Sequence, residues 1–429
     1  MNFLRSFLWN SLNKNNINIA KDLFKNKDNF ESIKNNFLVK ILNHAKKNVP
    51  YYKEKFSNID FSNFQVSDLY KLPILTKKEL KKDFEKLKSN DIDTRKWWEN
   101  TSWWSTWEPV IFIQDEEYQK WVNISLYYYY KYILDIDWAN SKKVIFWGSP
   151  KDISKSTWGF ITKLKNYFLQ TIWINAFTPF NDKNMKEYIN IINSFKPDII
   201  KWYTSSLLYL AKFAKNNNIK MHSPKIVMTA AEPLDENQRL FFEDIFWTHI
   251  INFYWSRETS SIAWESYEKN LLIFEFNNIV EIVNWDILVT NLHNYSMPLI
   301  RFKIWDISDN INFSINKYNL PIMTPVTWRF FDIFIKTNWE KFHSQFIVQL
   351  LFFKDWINKF QIIQEKIDKI ILNIELEKWE KVNESEKKNI ELKIINMMWK
   401  TCIVEWNYVD KINKTKNWKY LYTINKLIK

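Results

Sequence analysis

The chain has 429 residues, enough for one large domain with a smaller one or for two or three of ordinary size. Its single cysteine excludes an internal disulfide framework and a cysteine-based metal site, and its five histidines show no metal-ligand spacing. The net charge of +13 comes mainly from lysines spread along the chain, without an arginine-rich patch, so we expect no nucleic-acid partner.

The amino-terminal stretch MNFLRSFLWNSLNK is too short and too interrupted for a signal peptide or a membrane span. We therefore expect a cytoplasmic protein without a transmembrane segment. A weak association with a membrane surface is left open by the positive charge.

Glycine is almost missing from this chain. An average chain of this length has about 30 glycines, whereas this one has 2, together with 24 tryptophans. Tryptophan also stands where turns expect glycine, at Asn284-Trp285, Asn338-Trp339 and Asn417-Trp418 beside strand-like runs. Our hypothesis is that the gene uses UGA for glycine and that the printed sequence translates UGA as tryptophan. The alternative is a tryptophan-rich binding protein.

Residues 30–90 are predicted to be helical. In FLVKILNHAKKNVPYYKEKF the apolar positions recur every three and four residues until Val49-Pro50 interrupts the pattern. In LPILTKKELKKDFEKL, Thr76 is predicted to cap a helix, and Glu79 three residues later completes a capping box.

From residue 100 onward, a loop leads into the strand-like PVIFIQ, after which strand-like and helical patterns alternate. The alternating segments are KKVIFW, a helix near 184–195, PDIIKW, SSLLYLAKFAKNN, KIVMTAAEPL, ENQRLFFEDIF and THIINFYW. This alternation predicts βαβ units and an α/β fold.

After residue 265 the pattern changes to mainly antiparallel strands, namely LLIFEF, NIVEIV, DILVTNL and PLIRFKI. The tail holds further strands and the charged helix NESEKKNIELKIINMMWK. We predict a large α/β domain over residues 1–328, with βαβ units and additional antiparallel strands. A small α+β domain is predicted over residues 329–429.

The stretch TSWWSTWEPV follows the residues predicted to be helical. With glycine in place of tryptophan it becomes Thr-Ser-Gly-Gly-Ser-Thr-Gly, whose backbone N–H groups could converge on a phosphate with hydroxyl donors beside them. In that form it resembles the phosphate loop of the adenylate-forming enzymes, the acyl-CoA synthetase superfamily, which holds the β- and γ-phosphates of ATP. The residues of this candidate loop are Thr101, Ser102, Trp103, Trp104, Ser105, Thr106 and Trp107.

Further segments resemble motifs of the same superfamily, in the same order. FYWSRETSS is similar to its Tyr-Gly-x-Thr/Ser-Glu motif, which implies that Tyr254 stacks on adenine and that Glu258 helps to hold Mg²⁺. Arg257 stands where many members have Thr or Ser. RFKIWDIS is similar to the segment whose carboxylate binds the ribose hydroxyls, which implies that role for Asp306, although Ile304 replaces the usual Thr.

Three more segments complete the resemblance. TWRFFDIF is similar to the hinge between the two domains and implies that Arg329 lies near ribose or phosphate. KTKNWKYLYTI matches the segment whose lysine, here Lys419, bridges the acyl carboxylate and the α-phosphate. MTAAEPLDENQR is similar to the lining of the adenine pocket, which implies that Ala231 and Glu232 lie there. Each residue alone has a structural explanation, such as packing or a turn, and it is their order that favours the functional interpretation.

The amino-terminal region is similar to that of phenylacetate–coenzyme A ligases, and the tail is most similar to the branch associated with capsule polysaccharide biosynthesis. The resemblance implies ATP-dependent adenylation of a carboxylic acid to acyl-AMP, followed by transfer to a thiol. ATP, Mg²⁺ and coenzyme A are the implied cofactors. Transfer to an amine or to a sugar in glycan biosynthesis is one alternative, and a catalytically silent binding module is the other.

Overall fold

A computed structural model describes most of the chain and divides it into two compact units. The first comprises Met1–Ile304 with Ser308–Val326, and the second comprises Trp305–Ile307 with Thr327–Lys429. The sequence predicts a division after residue 328. The described residues are 11, 13–102, 110–147, 169–175, 182–230, 234–308, 311–312, 316–324, 328–329, 333–339, 341–351, 354–378, 380–398, 401–412 and 422–427.

The α-helices within these residues are α1 (Lys14–Lys25), α2 (Phe30–Asn48), α3 (Pro50–Lys55), α4 (Lys77–Lys82), α5 (Phe84–Leu87), α6 (Glu116–Tyr128), α7 (Asp182–Phe195), α8 (Thr204–Asn216), α9 (Glu236–Phe246), α10 (Gln345–Leu351) and α11 (Glu384–Met397). One π-helical turn, Tyr129–Ile133, continues α6. Short 3₁₀ segments occupy Lys27–Asn29, Val66–Lys71 and Ile92–Thr94.

The strands of the first unit are β1 (Trp97–Thr101), β2 (Ile111–Asp115), β3 (Lys143–Trp147), β4 (Thr171–Asn175), β5 (Ile199–Tyr203), β6 (Ile226–Ala230), β7 (His249–Ser256), β8 (Ser260–Glu265), β9 (Leu271–Ile273), β10 (Asn278–Val283), β11 (Asp286–Asn291), β13 (Ile311–Asn312) and β14 (Ile322–Met323). Strand β12 (Phe302–Ile307) begins in the first unit and ends in the second. The remaining strands are β15 (Trp328–Arg329), β16 (Ile333–Ile335), β17 (Lys341–His343), β18 (Ile357–Lys366), β19 (Lys369–Leu376), β20 (Ile403–Tyr408) and β21 (Thr423–Asn425).

Helices dominate residues 30–90, as predicted. The buried face of α2 presents Leu38, Ile41, Leu42 and Ala45 at spacings of three and four. The helix ends at Asn48 because a residue before proline favours extended backbone, and Val49 adopts φ −109° and ψ 112°. Helical structure resumes at once, because Pro50 occupies the first position of α3, where its missing N–H costs nothing.

A nine-stranded sheet forms the centre of the first unit, in the order β13-β14-β9-β8-β7-β6-β5-β3-β4. The neighbours from β4 to β7 pair in parallel, whereas β7, β8, β9, β14 and β13 pair antiparallel. Helices α7, α8 and α9 connect successive parallel strands. All five residues of β6 are buried, as expected of a parallel strand covered on both faces. The predicted α/β fold is confirmed.

The second unit contains the four-stranded sheet β20-β19-β18-β21. Helix α10 contacts β18, and α11 contacts β20. The antiparallel pair β18–β19 is flanked by parallel strands on both sides. Over the described residues, no helix is both long enough and apolar enough to cross a bilayer.

Among the described helices and strands of the first unit, the sequence analysis does not predict α1, α6, β1, β4, β8, β13 and β14. Strand β1 pairs antiparallel with β2, so that Trp97 faces Asp115 and Thr101 faces Ile111. Asp115, the last residue of β2, caps helix α6, because its carboxylate accepts a hydrogen bond from the Tyr118 amide at 2.9 Å. This buried cap joins a strand to a helix directly, without the turn residues that normally mark such a boundary in a sequence.

Three tryptophans in the described part of the chain have left-handed backbone conformations. Their φ values are 51° for Trp247, 77° for Trp285 and 68° for Trp339. All three side chains are exposed, at 76%, 66% and 77% respectively, so packing does not hold them there. Asn284 also has a positive φ of 51°, and Val283 pairs with Asp286 across the turn. This is the conformation of a two-residue Asn-Gly hairpin, which glycine adopts at little cost.

Replacing a left-handed tryptophan by glycine should therefore stabilise the fold. Trp247 follows the last residue of α9, and we expect Trp247→Gly to raise the free energy of unfolding by about 1 kcal/mol, because the Cβ clash of the left-handed conformation is removed. Chemical denaturation measures the change.

The matched control is Trp97→Gly, because Trp97 is also exposed but lies in a strand with ordinary backbone angles. This change should lower the unfolding free energy by about 0.5–1 kcal/mol. Equal destabilisation by both substitutions would contradict the strain argument.

Candidate active site

Strands β1 and β2 form the base of the candidate phosphate loop. The amide of Ser102 donates to the Val110 carbonyl at 2.8 Å, and the amide of Val110 donates to the Ser102 hydroxyl at 2.9 Å. Ser102 is buried, so its hydroxyl closes the loop at its base and retains an O–H donor. The five other loop residues, Trp103, Trp104, Ser105, Thr106 and Trp107, lie outside the described part of the chain.

The end of β7 and the turn that follows it carry two of the predicted site residues, Tyr254 and Glu258. The geometry of this turn is set by Ser256, whose hydroxyl accepts the Thr259 amide at 3.0 Å, and by Ser260, whose φ is 63°. Tyr254 pairs with Ala263 and Trp255 with Ser261, so the register skips Ile262 of β8, as it does in a β-bulge. Bulges of this kind re-aim side chains next to functional sites. Tyr254 is partly buried and packs against the core, while Glu258 is buried on the turn itself.

Hydrogen bonds connect this turn to the base of the loop. The side chain of Gln114 makes both contacts. Its Nε2 donates to the Arg257 carbonyl at 2.7 Å, and its Oε1 accepts from Asn100 Nδ2 at 3.0 Å. The Arg257 guanidinium in turn donates to Asn100 Oδ1 at 3.3 Å and to the Thr101 carbonyl at 3.4 Å. Arg257 therefore brings a permanent positive charge to the start of the candidate phosphate loop.

A lysine that the sequence analysis does not identify lies beside Glu258. Lys77 Nζ is 3.7 Å from Glu258 Oε1, and the two residues are only 9% and 6% exposed. Lysine and glutamate are rarely buried this deeply unless they are paired. The pair therefore places a cation and an anion together on the turn whose Glu258 carbonyl accepts from the side chain of Gln114 on β2 at 3.5 Å.

The predicted capping box positions Lys77, which is the first residue of α4. The Glu79 amide donates to Thr76 Oγ1 at 3.2 Å, and the Thr76 amide donates to Glu79 Oε2 at 2.9 Å. Tyr51 Oη also donates to Glu79 Oε1, at 3.1 Å. The paired hydrogen bonds confirm the capping box predicted for Thr76 and Glu79. The same cap holds the start of α4 in place and so positions the buried ammonium of Lys77.

Two further site residues meet in the second unit. Asp306 on β12 lies opposite Arg329 on β15 in antiparallel register. Asp306 is partly exposed. The backbone of Arg329 is described, whereas its side chain is not.

The remaining predicted residues, Ala231, Glu232 and Lys419, lie outside the described part of the chain. The elements on either side of the first two are well defined. Strand β6 ends at Ala230, and α9 begins after Asp235, whose carboxylate accepts the Gln238 amide at 2.9 Å.

Carboxylates within the described residues do not gather into an all-protein metal cage. No group of three or more His, Cys, Asp or Glu side chains there could hold a metal ion. The buried carboxylate of Glu258 would fit Mg²⁺ as one protein ligand used together with substrate phosphates.

Comparison with known proteins identifies relatives of both units. Residues 335–426 match the family model of the CapK C-terminal domain. The chain is also 24% identical to protein CapK of Staphylococcus aureus over 93% of this chain and 90% of that protein.

Solved structures resemble the fold at lower sequence identity. The 2-hydroxyisobutyryl-CoA ligase in its postadenylation state, in complex with 2-HIB-AMP, matches with a TM-score of 0.72 and 14% identity over 92% of this chain and 89% of that one. The anthranilate CoA ligase AuaEII in complex with anthranoyl-AMP matches with a TM-score of 0.52 and 12% identity, over 74% and 64% of the two chains. The chain is thus similar to CapK, carries a CapK C-terminal domain and has the fold of the adenylate-forming acyl-CoA ligases.

Proposed function

We propose that this chain is an ATP-dependent adenylate-forming ligase. A carboxylate oxygen of an organic acid attacks the α-phosphorus of ATP, the bond to the bridging oxygen breaks, and acyl-AMP and pyrophosphate are the products. The observation that carries this proposal is the hydrogen-bonded junction of the candidate phosphate loop with the turn that holds Glu258, with Lys77 beside it. This junction belongs to a fold that the chain shares with ligases whose structures contain bound acyl-AMP.

The chain supplies positive charge and hydrogen-bond donors where the departing pyrophosphate carries negative charge. Arg257 lies at the base of the loop, and the buried ammonium of Lys77 lies beside Glu258. Preorganised charges of this kind stabilise a transition state without reorganisation cost. When bound, Mg²⁺ would be held by Glu258 and would neutralise phosphate charge.

The other site residues are proposed to position the nucleotide and the acid. Tyr254 stacks on adenine, whose pocket Ala231 and Glu232 line, and Asp306 binds the ribose with Arg329 nearby. Lys419 bridges the acyl carboxylate and the α-phosphate. These roles follow from the similarity of the surrounding segments to the motifs of the adenylate-forming enzymes. Positioning of this kind accelerates the reaction because the carboxylate oxygen and the α-phosphorus are held in contact and in correct alignment.

The second half-reaction is proposed to be displacement of AMP by a thiol, with coenzyme A as the thiol. The relatives of matching fold are CoA ligases, which supports this acceptor. The similarity to CapK supports a second candidate, transfer of the acyl group to an amine or a sugar during capsule assembly. We further propose that the two compact units act as a large substrate-binding domain and a small mobile domain.

We also propose that most of the tryptophans are glycine in the native protein. The left-handed backbone at Trp247, Trp285 and Trp339 supports this, because these are conformations that glycine adopts readily and tryptophan does not. Glycine at 103, 104 and 107 would let the loop amides reach phosphate oxygens.

The first prediction concerns this loop. The chain with Trp103→Gly, Trp104→Gly and Trp107→Gly should bind ATP, whereas the chain with tryptophan at these positions should not, because indole rings keep the backbone N–H groups away from phosphate. Isothermal titration calorimetry measures both affinities. Equal affinities would contradict the phosphate-loop assignment, and ATP–pyrophosphate exchange with a panel of acids then tests the function itself.

The second prediction concerns Glu258. In the glycine-containing protein, Glu258→Gln should raise the Mg²⁺ concentration needed for half-maximal ATP–pyrophosphate exchange by about tenfold or more, because one ligand charge is lost. The matched control is Glu99→Gln on β1, which should leave the Mg²⁺ requirement unchanged. If both variants needed the same Mg²⁺ concentration, the assignment of Glu258 as a metal ligand would be wrong.

The third prediction concerns Lys419. Lys419→Ala should slow acyl-AMP formation at least about 100-fold, because a cation at the developing charge is removed. ATP affinity should hardly change, and thioester formation from pre-formed acyl-AMP should stay near normal. Rapid-quench measurement of each half-reaction separates these effects. Equal slowing of both steps would point to damaged folding instead of a lost catalytic cation.

A further inference from the structure

Lys77 and Glu258 form a buried pair of opposite charges in the first unit, with Nζ and Oε1 3.7 Å apart. This distance is longer than a hydrogen bond between an ammonium and a carboxylate, which is roughly 2.7–2.9 Å. Within the described part of the chain, no hydrogen bond joins either charged group to a further partner. Both groups therefore keep hydrogen-bonding capacity that a ligand can use.

The backbone on each side of this pair is held by hydrogen bonds. On the side of Lys77, the capping box of Thr76 and Glu79 fixes the first turn of α4. On the side of Glu258, the backbone carbonyl of that residue accepts from Gln114 Nε2 at 3.5 Å. A change of partners at this pair therefore involves the two side chains alone. Lysine suits such a change, because its ammonium is a compact charge at the end of a flexible stem.

Stability of the fold does not explain this pair. Removing two charges from water is costly, and their attraction compensates for that cost only where hydrogen bonds also satisfy the remaining donors and acceptors. At 3.7 Å, and without such hydrogen bonds among the described residues, this condition is not met. Two apolar side chains of similar volume would be at least as stable in the same place. A ligand that uses both charges accounts for them better.

The charge balance of the pair selects the form in which a metal can enter. The pair is neutral as a whole, so Mg²⁺ arriving alone would bring a doubly charged cation next to the buried ammonium of Lys77. Mg²⁺ bound to ATP arrives instead as an anionic complex, because the triphosphate carries more negative charge than the metal neutralises. The metal can then contact the Glu258 carboxylate while the ammonium contacts phosphate oxygens. Each charge has an opposite partner before and after the exchange.

We propose that Lys77 makes the binding of Mg²⁺ at Glu258 conditional on ATP. In the nucleotide-free protein the ammonium of Lys77 holds the carboxylate and keeps a bare divalent cation away from it. When ATP enters together with Mg²⁺, the metal takes the carboxylate and Lys77 turns to the phosphates. No covalent bond forms or breaks in this exchange. The inference rests on the proposed adenylation function and on Glu258 as the metal ligand.

The experiment measures the binding of Mn²⁺, a paramagnetic substitute for Mg²⁺, by electron paramagnetic resonance in the absence of nucleotide. The parent protein carries glycine at positions 103, 104 and 107. We expect Lys77→Met to bind Mn²⁺ at least about tenfold more tightly than the parent, because the carboxylate of Glu258 loses its competing cation. Changes of this size are typical when a group that contacts a metal ligand is replaced.

Two controls and a second measurement accompany this variant. Lys78→Met removes the charge of the next residue of α4, which is exposed, and should bind Mn²⁺ as weakly as the parent. Lys77→Met combined with Glu258→Gln should lose the added Mn²⁺ affinity, because the carboxylate is gone. Lys77→Met alone leaves a buried carboxylate without its cation and should melt at a lower temperature than the parent. Mg²⁺ without nucleotide should raise the melting temperature of that variant and leave the parent unchanged.

The outcomes separate this inference from the proposed function. If Lys77→Met bound Mn²⁺ no more tightly than the parent, or if Mg²⁺ did not restore its stability, the role of Lys77 would be overturned. Isothermal titration calorimetry with the Mg²⁺ complex of α,β-methylene-ATP, which resists cleavage at the α-phosphate, tests the nucleotide site of the parent independently. Absence of binding there would contradict adenylation itself, whereas binding there together with a negative result for Lys77→Met would leave adenylation standing.

Discussion

The geometry of the candidate site depends on the side-chain amide of Gln114. Its nitrogen donates to the Arg257 carbonyl and its oxygen accepts from Asn100, so one buried side chain joins the β7–β8 turn to the base of the phosphate loop. Leaving either end of a buried amide without a partner is costly, so the two segments are held in one relative position. The position of Glu258 relative to Thr101 follows from that constraint, and so does the place of the Arg257 charge.

Local signals in the sequence predict much of this fold. Helix α9 follows its predicted segment, because its apolar periodicity agrees with the capping box of Asp235 and Gln238. Helix α6 is not predicted, because tyrosine and tryptophan fall on several of its faces and hide the period. Its buried position depends on contacts such as the stacking of Trp121 on His293, with ring centroids 3.8 Å apart. No local pattern encodes a partner so far along the chain.

The same distinction applies to the candidate site. Tyr254 and Glu258 can be proposed from a short motif, because the turn that presents them is local. Lys77 cannot, since its partner Glu258 lies in another element, and a lysine at the start of an amphipathic helix is usually exposed to solvent.

Backbone conformation connects the turns to the chemistry of the site. The Asn-Trp pairs identify the turns at Trp285 and Trp339 from sequence, whereas Trp247 is visible only as the left-handed residue that ends α9. All three positions favour a residue without a Cβ, and so does a loop whose amides must converge on phosphate. One reassigned codon would account for the turns and the loop together, so the strain at exposed tryptophans far from the site bears directly on whether the site can bind ATP.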